Sequence, residues 1–362
     1  MSGRLEDEIK ALIAAEGPMP VSRFMALALG HPRLGYYVTR DPFGAGGDFV
    51  TAPEISQMFG ELVGLWAVAQ WQAMGAPAPF ALVELGPGRG TLMADALRAA
   101  RLVPEFGAAA RLHLVEMSPT LRAAQGRALG AAAPQWHDRL EDVPPGPMIA
   151  IANEFFDAIP IDQFVFRDGR WRARRVGLKA DGALAFGLDP LPHGAEPAPY
   201  GPPAEGAVLE RMVEGPALAL AGRIAGQGGA ALVVDYGHAG GYGDTLQAVR
   251  AHRWVDPLAD PGEADLTAHV DFAALARRAR ASGARAFGPI GQGEFLARLG
   301  LAQRATRLKA GKDAAAQAAV DAAALRLAGH GEGQMGALFK AMVIAHGGLG
   351  APVAFDTGEE VV

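Results

Sequence analysis

Apolar side chains recur along this chain with two periods, and the switch between them marks out its elements. Residues 4–15 and 20–30 carry them at helical spacing, and Glu54 to Trp71 continues the pattern with Ile55, Met58, Phe59, Leu62, Val63 and Trp66. Short apolar runs bounded by turn residues follow at 80–85, 111–116, 148–152 and 230–235, with later ones near 284–288 and at 336–345. Such runs are strands buried on both faces, and the helical patterns between them predict right-handed crossovers. The whole predicts an α/β fold around a seven-stranded, mostly parallel sheet, with the last strand free to run antiparallel at one edge.

Two stretches depart from this rhythm. Ile161 to Arg167, Trp171 to Leu178 and Ala183 to Leu188 alternate with the period of hairpin strands, so 158–229 reads as a β-rich insertion. Its Pro- and Gly-rich part, 190–203, reads as a surface loop. Gly35 to Pro53 is a glycine-rich, aromatic connection too long for a simple turn, the kind of loop that forms a lid. The expected organisation is a helical extension and lid over 1–78 and a sheet domain over 79–362.

The chemistry starts where the first buried strand meets glycine, in Glu84-Leu-Gly-Pro-Gly-Arg-Gly-Thr91. Gly86, Gly88 and Gly90, with Pro87 between them, remove side chains where backbone turns tightly and a ligand comes close, and helical spacing resumes at Thr91. A dinucleotide fingerprint needs a glycine at the position Thr91 occupies, so the turn favours a pyrophosphate-free ligand such as S-adenosylmethionine. Leu112-His-Leu-Val-Glu116 places a second acid at the end of the next strand, within reach of ribose hydroxyls. Glu116 alone does not discriminate, because nicotinamide enzymes use the same acid. Glu84 and Met117 flank these positions and are counted with the cofactor site.

Asn153-Glu154-Phe155-Phe156-Asp157 follows the strand at 148–152 and should emerge at the same sheet edge. Glu154 and Asp157 are the leading catalytic pair, weighed against a plain helix start. Asn153 faces either the methionine end of the cofactor or the acceptor, and Phe155 forms a substrate wall. Asp48 and Thr51 are lid or cofactor candidates, because no helix pattern requires them. Glu54 is assigned to substrate or to helix initiation, and Tyr36 and Tyr37 either close over the site or pack the extension. His269 is a candidate base, since an imidazole titrates near neutral pH. Asp271 reads as a helix cap, while Asp235 and Tyr236 end a strand and face the crevice. Arg170, Arg172 and Arg174 alternate on one face, as in a solvated edge strand.

A chain of 362 residues, half of them hydrophobic, buries a substantial core, and a formal charge of −6 leaves no footprint for general nucleic-acid binding. The absence of cysteine excludes disulfides, thiolate metal sites and cysteine nucleophiles, and nine scattered histidines without a zinc-type pair imply no metal. No apolar run approaches a membrane span, and the acidic start resembles neither a secretory signal nor a transit peptide, so a cytoplasmic protein is expected.

Three separated blocks carry a family resemblance: Gly46-Gly-Asp-Phe-Val-Thr-Ala-Pro-Glu-Ile-Ser-Gln-Met-Phe-Gly60, Val83 to Thr91, and Ala152-Asn-Glu-Phe-Phe-Asp-Ala-Ile-Pro160. With Val233 to Gly237, Asp265 to Phe272 and Gln292 to Leu296, they resemble the MidA-like methyltransferase family, which includes a mitochondrial complex I assembly factor described as a protein arginine methyltransferase. The resemblance spans nearly the whole chain. It implies a class I, Rossmann-like methyltransferase fold, S-adenosylmethionine as cofactor and a protein arginine as acceptor, and it places Asp138 and Leu140 beside the adenine. A non-catalytic assembly factor that keeps the cofactor pocket is the alternative, a nicotinamide oxidoreductase is the third reading, and association into a homodimer stays open.

Overall fold

The computed structural model describes residues 4–39, 51–192 and 199–361. Strands β1 (Phe80–Leu85), β2 (Ala110–Val115), β3 (Gln135–His137), β4 (Met148–Asn153), β5 (Gly229–His238), β6 (Arg285–Gly291) and β7 (Phe339–Ala345) lie in the spatial order β6-β7-β5-β4-β1-β2-β3. Pairs along β5, β4, β1, β2 and β3 are parallel, and β7 is antiparallel to both its neighbours. The antiparallel strand is therefore not at an edge. After β6 the chain runs through the helices of 292–328 and returns to fill the gap between β5 and β6.

An eighth strand, Val270–Asp271, pairs parallel with the end of β5, Gly237 opposite Val270. Glycine is required there, because a Cβ on Gly237 would lie 2.1 Å from the Val270 carbonyl oxygen. Strand order reverses between β1 and β4, which puts the ligand crevice outside their carboxyl ends.

Helices cover both faces. Gln57–Ala73, Thr91–Ala100 and the 292–328 helices bury one side, while Gly215–Gln227 and Phe272–Ala281 bury the other. The first two cross without side chains between them: a Cβ on Gly64 would sit 2.5 Å from the Ala96 Cα, and one on Gly60 2.6 Å from the Asp95 Cβ. Arg98 and Arg304 converge on Glu61 beside this crossing, Arg304 Nε donating at 2.6 Å to Oε2 and Arg98 at 3.0 Å to Oε1. Burial pushes the Glu61 carboxyl up, but the two guanidinium groups outweigh it and hold it below its ordinary value. The close crossing seats the first half of the first helix against the second, which begins at the glycine turn.

The helical pattern from Glu54 to Trp71 is broken at Ser56, whose backbone is extended and whose hydroxyl caps the next helix by accepting from the Met58 N–H. A four-residue helix, Ala52–Ile55, stands apart as a result. Helices Leu5–Glu16 and Val21–Gly30 share a core with Ile161, Val176 and Leu266. Met19–Pro20 pairs with Arg170–Leu178 at Met19 and Val176. The 170–178 strand is thus not an edge: Ile161–Arg167 pairs with its first half, and Met19–Pro20 and Leu184–Leu188 pair with its second half from opposite sides. Its alternation holds from Arg170 to Ala173 and then shifts by one residue, so that Trp171, Ala173 and Val176 are buried, and Arg174 and Arg175 pair with Asp244 and Asp189.

Candidate functional site

Gly86, Gly88 and Gly90 have φ of 61°, 54° and 84°, a left-handed run that L side chains resist, and it carries β1 into the helix Thr91–Ala100. A Cβ on Gly86 would meet the Phe155 ring at 3.0 Å, so the turn and the loop after β4 form one wall. Glu116 lies half-buried at the tip of β2. Its Oε1 accepts from the Ser118 N–H at 2.7 Å and its Oε2 from Gln125 Nε2 at 3.2 Å. Burial pushes this carboxyl up, and those two donors oppose the shift. A carboxylate has more lone pairs than these bonds use, and the remainder suit a vicinal diol.

Gln125, fully buried, also donates to the Gly88 carbonyl at 2.8 Å and accepts from Trp136 Nε1 at 2.8 Å, tying turn, acid and β3 together. No feature of the sequence distinguishes it from other polar helix positions. Leu140 is buried near β3, whereas Asp138 is largely exposed and bonded to Arg122 at 2.7 Å, and Met117 is 67% exposed. Asp138 and Met117 therefore stand at the rim of the crevice.

The residues fit a sulfonium nucleoside on two further counts. Among the described residues, Glu84, buried on β1, has no partner for Oε2, and Asn153 at the end of β4 has none for its buried Oδ1. Both are acceptors awaiting donors on the cofactor side. Burial alone raises the Glu84 carboxyl to about 8. A folded-state value above the unfolded one means that the folded protein keeps a proton the unfolded chain has released. The stabilisation is complete below the unfolded value of about 4.5 and is lost as pH rises through about 8. The thermal midpoint of the ligand-free protein should fall across that interval, and Glu84→Gln should flatten the fall. Parallel curves for the two proteins would place the pH sensitivity elsewhere.

The other half of the crevice is a cluster of buried and half-buried carboxyls. Asp235, three residues before the end of β5, accepts through Oδ2 from the backbone N–H of Phe155 at 3.2 Å, Phe156 at 2.9 Å and Asp157 at 3.2 Å, and through Oδ1 from the Tyr236 N–H at 2.9 Å. No helix begins at Asp157; the loop is a turn wrapped around Asp235. Glu154 takes φ of 50°, an uncommon value for a residue with a side chain, and its N–H bonds to the Val234 carbonyl at 2.9 Å. Its Oε1 accepts from Asn153 Nδ2 at 3.1 Å and from the Ala52 N–H at 3.2 Å.

Burial and then Asp157 raise Glu154 to about 7; burial raises Asp157 to about 6, against a hydrogen bond from Tyr236; burial and both neighbouring acids raise Asp235. Tyr37, from the N-terminal segment, lies half-buried near Asp157 with its hydroxyl on Asp265.

The segment 51–55 bridges the two halves. Ala52 contacts Glu154, while Glu54 Oε1 accepts from Thr91 Oγ1 at 2.6 Å, at the helix start behind the glycine turn. Glu54 therefore lies against the cofactor turn, and Thr51 is buried just before it. Asp48 lies outside the described residues. His269 stacks edge-on against Tyr236 with ring centroids 5.4 Å apart, and burial together with His238 holds its pKa below the usual value, so near neutrality it is uncharged. Its other side borders a cavity of about 390 Å³ that also touches Phe156 and His238. Asp271 is the expected cap, accepting from the Ala274 N–H at 2.9 Å. Among the described residues no group of three or more His, Asp or Glu is arranged to hold a metal, and no helix is long and apolar enough to cross a membrane.

A family model described as "Putative S-adenosyl-L-methionine-dependent methyltransferase" matches residues 62–290. The chain is 40% identical over 333 residues to the mitochondrial "Protein arginine methyltransferase NDUFAF7 homolog" of Drosophila melanogaster, covering 82% of this chain and 75% of the relative. It is 38% identical over 327 residues to the mitochondrial "Protein arginine methyltransferase NDUFAF7" of Homo sapiens, covering 80% and 71%. A solved COG1565 superfamily member from Burkholderia thailandensis, bound to S-adenosyl-homocysteine, superposes with a TM-score of 0.85 at 28% identity, covering 98% of this chain and 96% of the other. The expectation of a cytoplasmic protein is overturned by these relatives, which are named as mitochondrial. With matches of that depth over most of both partners, the chain belongs to the S-adenosyl-L-methionine-dependent methyltransferase family, and S-adenosyl-L-methionine is its cofactor.

Proposed function

We propose that this enzyme is a protein arginine N-methyltransferase whose acceptor guanidinium is held by Glu154 and Asp157. One observation carries the reading: Asp157 and Asp235 are buried with Glu154 half-buried beside them, and among the described residues none of the three forms an ion pair with a Lys, Arg or His. Buried carboxyls without a cation are costly, and a guanidinium supplies the charge and paired donors that two carboxylates recognise. The relatives named as arginine methyltransferases support the same acceptor. A scaffold that only stored the cofactor would have no use for such a cluster.

The cofactor supplies an electrophilic methyl group, and the residues of the chain do the rest. Gly86, Gly88 and Gly90 let it lie against backbone, with Glu84, Glu116 and Asn153 as acceptors for its polar groups. Glu154 and Asp157 align the acceptor nitrogen, which is most of what an in-line transfer needs. Phe155, Tyr236 and the 51–55 segment close the crevice against water, and Tyr37 extends that wall from the N-terminal side. His269, neutral and turned to Tyr236, packs the wall from behind.

The test is transfer of labelled methyl to proteins of an extract lacking this enzyme, with mass spectrometry of the product. Label on arginine is expected; label confined to small molecules or to other residues would reject the reading. Cation binding should also ionise the raised carboxyls. Calorimetry near pH 6.5, in buffers of different ionisation heat, should then show about one proton released per arginine peptide bound in the presence of S-adenosylhomocysteine. Buffer-independent heats would remove the carboxyls from acceptor binding.

A further inference from the structure

One turn of chain reaches both halves of the crevice. The helix Ala52–Ile55 stands between Thr51 and Ser56, both in extended backbone, and makes a different contact near each of its ends. At its start the Ala52 N–H donates to Glu154 Oε1 at 3.2 Å. Near its end Glu54 Oε1 accepts from Thr91 Oγ1 at 2.6 Å, a short bond to a carboxylate and so one of the strong kind. An acid that only started its own helix would stay on that turn, whereas this one leaves it for a residue 37 positions away. Thr91 is the first helical residue after Gly90, whose φ is 84°.

The frame around this turn is rigid and the turn itself is stiff. Behind it, Ser56 caps the helix Gln57–Ala73, which the Gly60 and Gly64 crossing holds against Thr91–Ala100. Within it, Pro53 fixes one backbone angle, the N–H groups of Glu54 and Ile55 both bond to the Thr51 carbonyl, and Ala52 is fully buried. Such a turn shifts as a unit. At 3.2 Å the Ala52 bond is already at the long end of its normal range, so a small displacement at the Glu54 end is enough to break it.

The glycine turn is the part with conformational freedom. Gly86, Gly88 and Gly90 permit several backbone shapes, and a cofactor lying on them selects one. Thr91 follows that choice, Glu54 follows Thr91, and the Ala52 N–H follows Glu54.

We propose that Glu54 and Thr91 are positioning residues that carry the shape of the cofactor turn through Ala52 to Glu154, so that a seated cofactor orients the acceptor carboxylate. The proposal goes beyond the arginine reading and rests on it only for what Glu154 holds. Glu154 keeps Asn153 Nδ2 as a donor throughout, so the Ala52 bond governs where its Oε1 is aimed and not whether it is paired. Binding is then ordered, cofactor before acceptor, and by reciprocity a bound acceptor tightens the cofactor by the same factor.

The experiment is residue-resolved amide exchange on the full chain with and without saturating S-adenosylhomocysteine, alongside calorimetry of an arginine peptide in both conditions. In the wild type S-adenosylhomocysteine should slow exchange at Ala52, Glu54 and Ile55 by about tenfold and tighten the peptide by about tenfold. Thr91→Val and Glu54→Ala should each cut both effects to below about twofold, the double variant should lose nothing further, and Thr91→Ser should restore them. In every variant S-adenosylhomocysteine affinity should stay within about threefold of wild type, and exchange in Gln57–Ala73 should not change, which a general loosening of the fold would not allow. Because the exchange measurement needs no acceptor, a peptide that fails to bind the wild type would count against the arginine reading alone. Full protection of Ala52 in both Thr91→Val and Glu54→Ala, no protection in the wild type, or loss of S-adenosylhomocysteine binding in either variant would overturn the proposal.

Discussion

Glu154→Gln should lower kcat on an arginine acceptor by about a hundredfold to a thousandfold while leaving S-adenosylhomocysteine affinity within about threefold. The substitution keeps the local frame, since a glutamine oxygen still accepts from the Ala52 N–H and the backbone N–H still bonds to the Val234 carbonyl. What it removes is the charge. Glu154 stands near 7 with the acceptor absent, so a bound guanidinium draws it fully into its ionised form and gains a charge-assisted, potentially bidentate contact. The neutral amide also presents an NH₂ group to a ligand that consists of donors. The loss should appear in kcat/KM as well as kcat, because it affects both holding and aligning the acceptor. Measured by steady-state kinetics and calorimetry, full activity in this variant would detach Glu154 from the acceptor, and lost cofactor affinity would reassign it to the methionine end.

The parts legible from sequence were those whose physics is local. β1, β2, β4 and β5 are wholly or largely apolar and end in turn residues, so burial on both faces left them within a residue or so of their observed limits, apart from the longer end of β5. The glycine turn was equally plain, because three left-handed positions in five residues demand glycine. β3 was not: Gln135-Trp-His137 is short and half polar, and only family resemblance pointed to its place. The break at Ser56 was hidden by the unbroken apolar spacing on either side, where a hydroxyl cap overrode periodicity.

The site divides along the same line. Glu84, Glu116, Glu154 and Asp157 could be read because each follows or ends a strand whose direction fixes where it emerges. Gln125 and Asp265 could not be placed by that logic, since their meaning lies in contacts with β3 and with Tyr37 that no local pattern encodes. Tyr37 is the intermediate case. Its aromatic loop suggested a lid, yet only the folded chain shows its hydroxyl on Asp265 near Asp157. The N-terminal segment is in this way part of the acid cluster's wall.

Asp235→Asn should be the most damaging conservative change in the molecule, lowering stability by about 3 kcal/mol and nearly abolishing transfer. Its carboxyl serves four backbone N–H groups, three on one oxygen and one on the other, and the loop Phe155–Asp157 has its shape because those three converge. Burial, Asp157 and Glu154 raise the Asp235 pKa, yet both oxygens face donors, so the acceptor-only carboxylate is the form the loop is built around. An asparagine has one acceptor oxygen. Placed to keep the three loop bonds, it turns its NH₂ toward the Tyr236 N–H; flipped, it turns that group toward three N–H donors. In either orientation at least one buried N–H is left unpaired and faces another donor, at about 1–3 kcal/mol for each such group. Glu154 and Asp157 ride on this loop, and a drift of about 1 Å there is enough to spoil in-line alignment by about a hundredfold. Thermal unfolding should show a lower midpoint at every pH, unlike Glu84→Gln, and S-adenosylhomocysteine should still bind through the glycine turn and Glu116. A wild-type midpoint with wild-type kcat would mean that the loop holds itself without Asp235, and that the convergence of its N–H groups is incidental.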